Sequence, residues 1–153
     1  MIKLLLLLFP LVFGENYVCN YNNVTEDRRY NKNKLRIMQY NVEWAFLDYY
    51  SNSDCPGNGC TWKNETHSME HFNHLSKVIN NLNPDIINFC EIEGCNELNY
   101  LKNITSIDYN AYLIKGSDTS TGQNVGMLTK MDPIDDLTRT DEKYSYPIEG
   151  SEC

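Results

Sequence analysis

The stretch Asn83-Pro84-Asp85-Ile86-Ile87-Asn88-Phe89-Cys90-Glu91-Ile92-Glu93-Gly94-Cys95 decides how this chain folds. Pro84 cannot continue a helix and biases Asn83 toward extended geometry, so any preceding helix must stop here. Ile86, Ile87, Phe89 and Cys90 then form a short apolar run, the pattern of a strand buried on both faces in the middle of a sheet. The run gives way to Glu91, Glu93 and Gly94. A carboxylate at the carboxyl end of a central strand, beside a glycine turn, is where α/β sheets tend to place ligands and metals. The competing reading of Glu91 is a loop glutamate that meets solvent.

Upstream of Pro84, Met69, Phe72, Leu75, Ile79 and Leu82 recur at three- and four-residue steps, which predicts a helix from Ser68 with one apolar stripe. Further back, Lys34 to Val42 alternates, with Leu35, Ile37 and Gln39 on one side and Arg36, Met38 and Tyr40 on the other, as a strand does. Residues 48–63 between them are rich in Ser, Asn, Asp, Pro and Gly and read as an irregular loop. Strand, loop, helix, strand is a crossover unit with two parallel strands side by side. That order places Asn41 and Glu91 at the same end of neighbouring strands. Downstream, Leu98, Tyr100 and Leu101 indicate a short helix. Tyr109 to Lys115 and Asn124 to Lys130 form an antiparallel hairpin with a polar tip. The expected class is α+β, with a mixed sheet, a crossover helix and a hairpin.

Residues 1–14 have the form of a secretory signal peptide: Lys3, an apolar core from Leu4 to Phe13, and small residues up to a cleavage point after Gly14. The core is shorter than the roughly 20 apolar residues that a membrane span needs. Nothing later is long and apolar enough, so a secreted protein with no membrane span is expected. Residues 15–33 form a polar lead-in, and 34–153 the domain. Three sequons, at Asn23, Asn64 and Asn103, and six cysteines agree with export to an oxidising compartment. Cys55/Cys60 and Cys90/Cys95 are the natural local disulfide candidates, although spacing does not fix the connectivity. A zinc site is a weaker reading, since neither pair has two-residue spacing. The formal charge is −8, and loss of Lys3 takes it to −9. Apart from a modest run from Arg28 to Arg36 there is no basic cluster, so a strong nucleic-acid-binding patch is excluded. A phosphate ester would then need a bound cation to neutralise it.

Leu35-Arg36-Ile37-Met38-Gln39-Tyr40-Asn41-Val42-Glu43-Trp44 resembles the first motif of the endonuclease/exonuclease/phosphatase superfamily, the fold of pancreatic-type deoxyribonuclease. Asn83 to Glu91 resembles its second motif, an aspartate-led strand ending in the metal-binding glutamate. Gly122-Gln123-Asn124-Val125-Gly126-Met127-Leu128-Thr129-Lys130 is similar to the following strand of secreted members. The resemblance covers Leu35 to about Lys130. It implies a partial DNase I-like α/β sandwich and Mg²⁺-dependent hydrolysis of a phosphoester, whether nucleic acid, phosphorylated small molecule or lipid. Glu91 would hold the cation, and Asn41 would contribute an amide to a phosphate oxygen, the metal's water shell or a neighbouring side chain. Glu43 falls where many members carry an acidic residue close to the metal. Mg²⁺ suits such a site because it accepts oxygen ligands and keeps several waters.

One departure limits that expectation. Family enzymes also use an Asp/Asn pair and a late Asp-His pair, whereas here His67, His71 and His74 all precede Glu91. The chain is therefore expected to be an N-terminal portion, inactive alone, with one apolar sheet face uncovered. The alternative is a non-catalytic secreted glycoprotein retaining part of the fold. The three histidines share a narrow arc of one helix and offer a Zn²⁺ or Cu²⁺ site; a solvated polar face is the simpler reading. Tyr40 and Trp44 fall near the rim, but packing and strand propensity account for most of the aromatic residues.

Overall fold

A computed structural model of the chain describes residues 18–19, 25–47, 62, 64–117, 121–135 and 137–139. The expected signal peptide, the candidate Cys55/Cys60 pair and most of the tail after Met131 lie outside these residues. Seven elements follow one another: β1 (Val18–Cys19), β2 (Ile37–Ala45), α1 (Glu65–Leu82), β3 (Ile86–Ile92), α2 (Cys95–Ile104), β4 (Asn110–Ile114) and β5 (Asn124–Thr129). The strands form one sheet in the order β1-β4-β5-β3-β2. β2 and β3 are parallel, as a crossover through α1 requires, and every other pairing is antiparallel. The sheet is thus mixed, and β4–β5 is the expected hairpin. Among the described residues no helix is long and apolar enough to cross a membrane.

Helix α1 begins three residues earlier than its apolar periodicity indicates. The Asn64 side chain accepts the His67 N–H at 3.0 Å and caps the first turn. At the other end Asn83 is left-handed (φ 47°, ψ 53°) rather than extended, and its N–H donates to the Ile79 carbonyl. Asn tolerates this conformation, and closing the helix end outweighs the bias imposed by Pro84. The buried face is Ser68, Phe72, Leu75, Ser76 and Ile79; the expected stripe residues Met69 and Leu82 are exposed. Exposed Asn64 and Asn103 leave two of the sequons at the surface.

Both helices pack on one face of the sheet. Phe72, Leu75 and Ile79 of α1 and Leu98 and Leu101 of α2 close over Val42, Ile87, Phe89, Ala111, Leu113 and Leu128 in one core. Each of these side chains larger than Ala111 contributes about 1.5–3 kcal/mol. Gly126 lies where α2 comes closest: a Cβ there would stand 3.1 Å from Leu98 Cδ2 and 3.4 Å from Ile92 Cγ2 and Leu113 Cδ1. Gly126→Ala is expected to cost about 1–3 kcal/mol by overpacking, read as a lowered urea midpoint with an unchanged slope.

The opposite face corrects the expectation of a doubly buried β3. Ile87 and Phe89 point into the core, while Asn88 is exposed and Cys90 half-buried. Neighbouring Ile37 and Val125 are 64% and 66% exposed. The segment Leu137–Arg139 lies over part of this face and, with Gln39, Cys90 and Met127, lines a cavity of about 420 Å³. The apolar run concealed a period-two alternation that Asn88 marks.

The Cys90/Cys95 pairing is also corrected. Cys95 opens α2 on the helix-covered side and is bonded to Cys19, 5.5 Å away between Cα atoms, which β1 brings in by pairing with β4. Cys90 lies on the other face as a free thiol, with the Gln39 Nε2 3.2 Å from its sulfur. The lead-in is tied down through Cys19 and a second time by Asp27, which bridges to Met131.

Candidate functional site

The β2–β3 pairing runs regularly from Ile37/Ile86 to Asn41/Cys90 and then breaks, resuming at Ala45/Ile92. On the other side of β3 the register against β5 also shifts between Cys90 and Ile92, so Glu91 is an extra residue lifted out of the ladder. Both irregularities fall at one level of the sheet. They coincide with positive φ at Glu43 (47°), Trp44 (60°) and Glu91 (66°), the left-handed region that non-glycine residues rarely enter. Such conformations cost about 1–3 kcal/mol each and persist only where the surroundings enforce them.

The bulge turns Glu91 toward Asn41. Asn41 Nδ2 donates to Glu91 Oε1 at 2.8 Å, and Asn41 Oδ1 accepts the Glu43 N–H at 2.9 Å. The amide is therefore engaged at both ends, and it holds the Glu91 carboxylate in place. In this arrangement Asn41 orients the Glu91 carboxylate, and its Oδ1, which accepts one N–H, keeps a second lone pair. Glu91 Oε2 accepts no hydrogen bond from the described residues, and Glu43 is exposed beside it. One free carboxylate oxygen with a second acid at the same rim suits a hard cation that keeps most of its waters. Among the described residues no group of three His, Cys, Asp or Glu side chains converges to hold a metal, so a cation here would rest on Glu91 and water-bridged neighbours.

Behind the rim, the carbonyls of Val42 and Trp44 in β2, and of Phe46 just past its end, are each taken by a side chain from the first half of α1 or just before it. His71 Nε2 lies 2.6 Å from the Val42 carbonyl, Trp62 Nε1 donates to the Trp44 carbonyl at 2.7 Å, and the Ser68 hydroxyl donates to the Phe46 carbonyl. A carbonyl can only accept, so His71 carries its proton on Nε2. Its ring stacks on Trp62 with centroids 4.1 Å apart. Burial pushes the His71 pKa below the ordinary histidine value, against the opposing pull of the Val42 carbonyl and Glu43. On the far side, Leu47 N–H donates to Glu93 Oε2 at 3.0 Å and Glu93 N–H to the Ala45 carbonyl at 3.1 Å.

These contacts decide the other expectations. His67 and His74 are exposed, but His71 is half-buried and its Nε2 is committed to the Val42 carbonyl, with its ring on Trp62, so it is not available as the middle of a three-histidine metal set. Tyr40 turns inward against Phe89, with ring centroids 6.5 Å apart, and Trp44 lies against Phe46 at 5.4 Å. Asp85, which leads β3, is a structural anchor: it accepts the Arg36 N–H at 2.9 Å and pairs with Lys130 at 3.1 Å.

A second polar centre, which the sequence did not announce, lies at the opposite end of the sheet. Asp132 accepts from the two terminal guanidinium nitrogens of Arg28, Nη1 and Nη2, at 2.7 Å, from Asn110 at 2.7 Å and from the Tyr112 hydroxyl at 2.9 Å. The Arg28 guanidinium holds the Asp132 carboxyl far below the usual carboxylate range, and burial pushes Tyr112 up to about 12. Both carboxylate oxygens of Asp132 face donors, which marks the cluster as an anchor for the lead-in. No family model, no curated protein and no solved structure matches the chain.

Proposed function

We propose that this chain carries the cation-binding rim of a secreted, Mg²⁺-dependent phosphoester hydrolase of the endonuclease/exonuclease/phosphatase type. The observation that carries the reading is the 2.8 Å bond from Asn41 to Glu91 on two bulged parallel strands. It joins two of the motifs through which the sequence resembles that superfamily. Glu91 Oε2 would hold the cation, Asn41 would fix the Glu91 rotamer, and Glu43 would act through a bridging water. A bound Mg²⁺ supplies charge stabilisation at the phosphoryl and leaving oxygens. The sheet, with both helices on one face and apolar side chains exposed on the other, fits one layer of a DNase I-like sandwich whose second sheet would cover Ile37 and Val125. The Cys19–Cys95 bridge supports an oxidising compartment.

The substrate in this reading is a nucleic acid or a phosphorylated small molecule or lipid, since neither the fold nor the rim selects the leaving group. No histidine follows Glu91 in the sequence, so turnover by these 153 residues alone is not expected. The same fact favours, as a second reading, a non-catalytic secreted glycoprotein that retains the fold. The deciding experiment is expression of any in-frame continuation that encodes a late Asp-His pair. That protein should hydrolyse a generic phosphodiester with Mg²⁺, and Glu91→Ala should lower the rate by about a thousandfold. Undiminished turnover in the variant would overturn the assignment. A continuation without such a pair, or none, would favour the second reading.

A further inference from the structure

We propose that His71 and Trp62 are positioning residues that hold the Val42–Trp44 corner in its left-handed form and thereby keep Asn41 beside Glu91. The inference rests on the reading of that rim as a cation site. A strand that has left its ladder has free carbonyls, and here His71 Nε2 and Trp62 Nε1 take those of Val42 and Trp44, on either side of Glu43. Glu43 and Trp44 are the two adjacent residues with positive φ, and the Glu43 N–H is the donor that fixes Asn41 Oδ1. The path of constraint is short: imidazole to Val42 carbonyl, corner to Glu43 N–H, Asn41 amide to Glu91 carboxylate. Stacking at 4.1 Å orients the His71 and Trp62 rings together, and the half-buried imidazole keeps its donor on the carbonyl. Groups that orient a ligating carboxylate typically change metal affinity by about 10- to 100-fold when lost.

Two variants separate the hydrogen bond from mere packing. His71→Phe keeps a ring to stack on Trp62 and loses the donor; His71→Gln keeps a donor and loses the ring. Binding of Mn²⁺ to the 153-residue chain, followed by water-proton relaxation, is measured in each, with Glu91→Gln defining the component that belongs to the rim. His71→Phe should weaken that component by about tenfold or more, and His71→Gln should retain most of it. In the metal-free chain, the side-chain amide resonance of Asn41 should move in His71→Phe and stay near its place in His71→Gln. The opposite order, or no movement of the Asn41 amide in either variant, would overturn the positioning role whether or not Mn²⁺ binds. Absence of any Glu91-dependent binding in the unaltered chain, with the Asn41 resonance responding as expected, would instead sink the cation reading and leave the clamp standing.

Discussion

Asp132→Asn should destabilise the fold by about 3–5 kcal/mol, the usual consequence of stranding one member of a buried ion pair. The Asp132 and Arg28 side chains are only 4% and 10% exposed, and the substitution preserves shape while removing the charge that Arg28 faces at 2.7 Å. Glu26 lies 3.8 Å away but is 64% exposed, too well solvated to replace it. The same carboxylate accepts from Asn110, from Tyr112 and from the Glu26 N–H, so the loss extends to β4 and to the lead-in. Urea unfolding near neutral pH checks the magnitude; a shift below about 1 kcal/mol would mean that the pair contributes nothing net. The pH dependence gives a second check. The folded-state pKa of Asp132 is depressed, with the Arg28 hydrogen bonds the largest cause. Its stabilisation is therefore fully present above the unfolded carboxylate pKa, about 3.9, and is lost as pH falls from there through the folded value. The parent chain should lose stability below about pH 4 by this route, and the difference between parent and variant should shrink with it.

Opening the Cys19–Cys95 bridge should cost about as much. The bonded residues are 76 apart in sequence, and the chain-entropy relation for a loop of that size gives about 4.5 kcal/mol, with strain or residual structure reducing it. β1 has only two residues, so little else holds the start of the described chain against β4. Cys19→Ser and Cys95→Ser should be equally destabilised and should not add when combined, because they remove the same constraint. Cys90→Ser is the control and should leave stability close to that of the parent. If Cys90→Ser instead matched Cys95→Ser, the bridge would have been assigned to the wrong cysteine.

The parts legible from sequence were those fixed by local pattern. The three- and four-residue spacing of Phe72, Leu75 and Ile79 specified α1, Pro84 its end, and the strand–helix–strand order the parallel pairing that puts Asn41 and Glu91 together. What stayed hidden depended on partners far along the chain. Nothing in Ile86 to Cys90 states that only one face of β3 meets helices; Asn88 was the single signal. Cys95 sits five residues from Cys90, but the sheet separates their faces and delivers Cys19 from 76 residues away. Likewise, Arg28 and Asp132 become neighbours only when the lead-in pairs beside β5. His71 shares a face with two solvated histidines, and its role emerged only with the carbonyl that the departing strand leaves beneath it.

The three strained rim positions have a consequence for how this sequence can drift. Glycine at 43, 44 or 91 would relax an unfavourable torsion, so a screen for heat-resistant variants would be drawn to this rim, where two of the three positions carry its carboxylates. Durability and retention of the carboxylates pull in opposite directions there. Lineages in which those acids had stopped mattering would be free to shed them first.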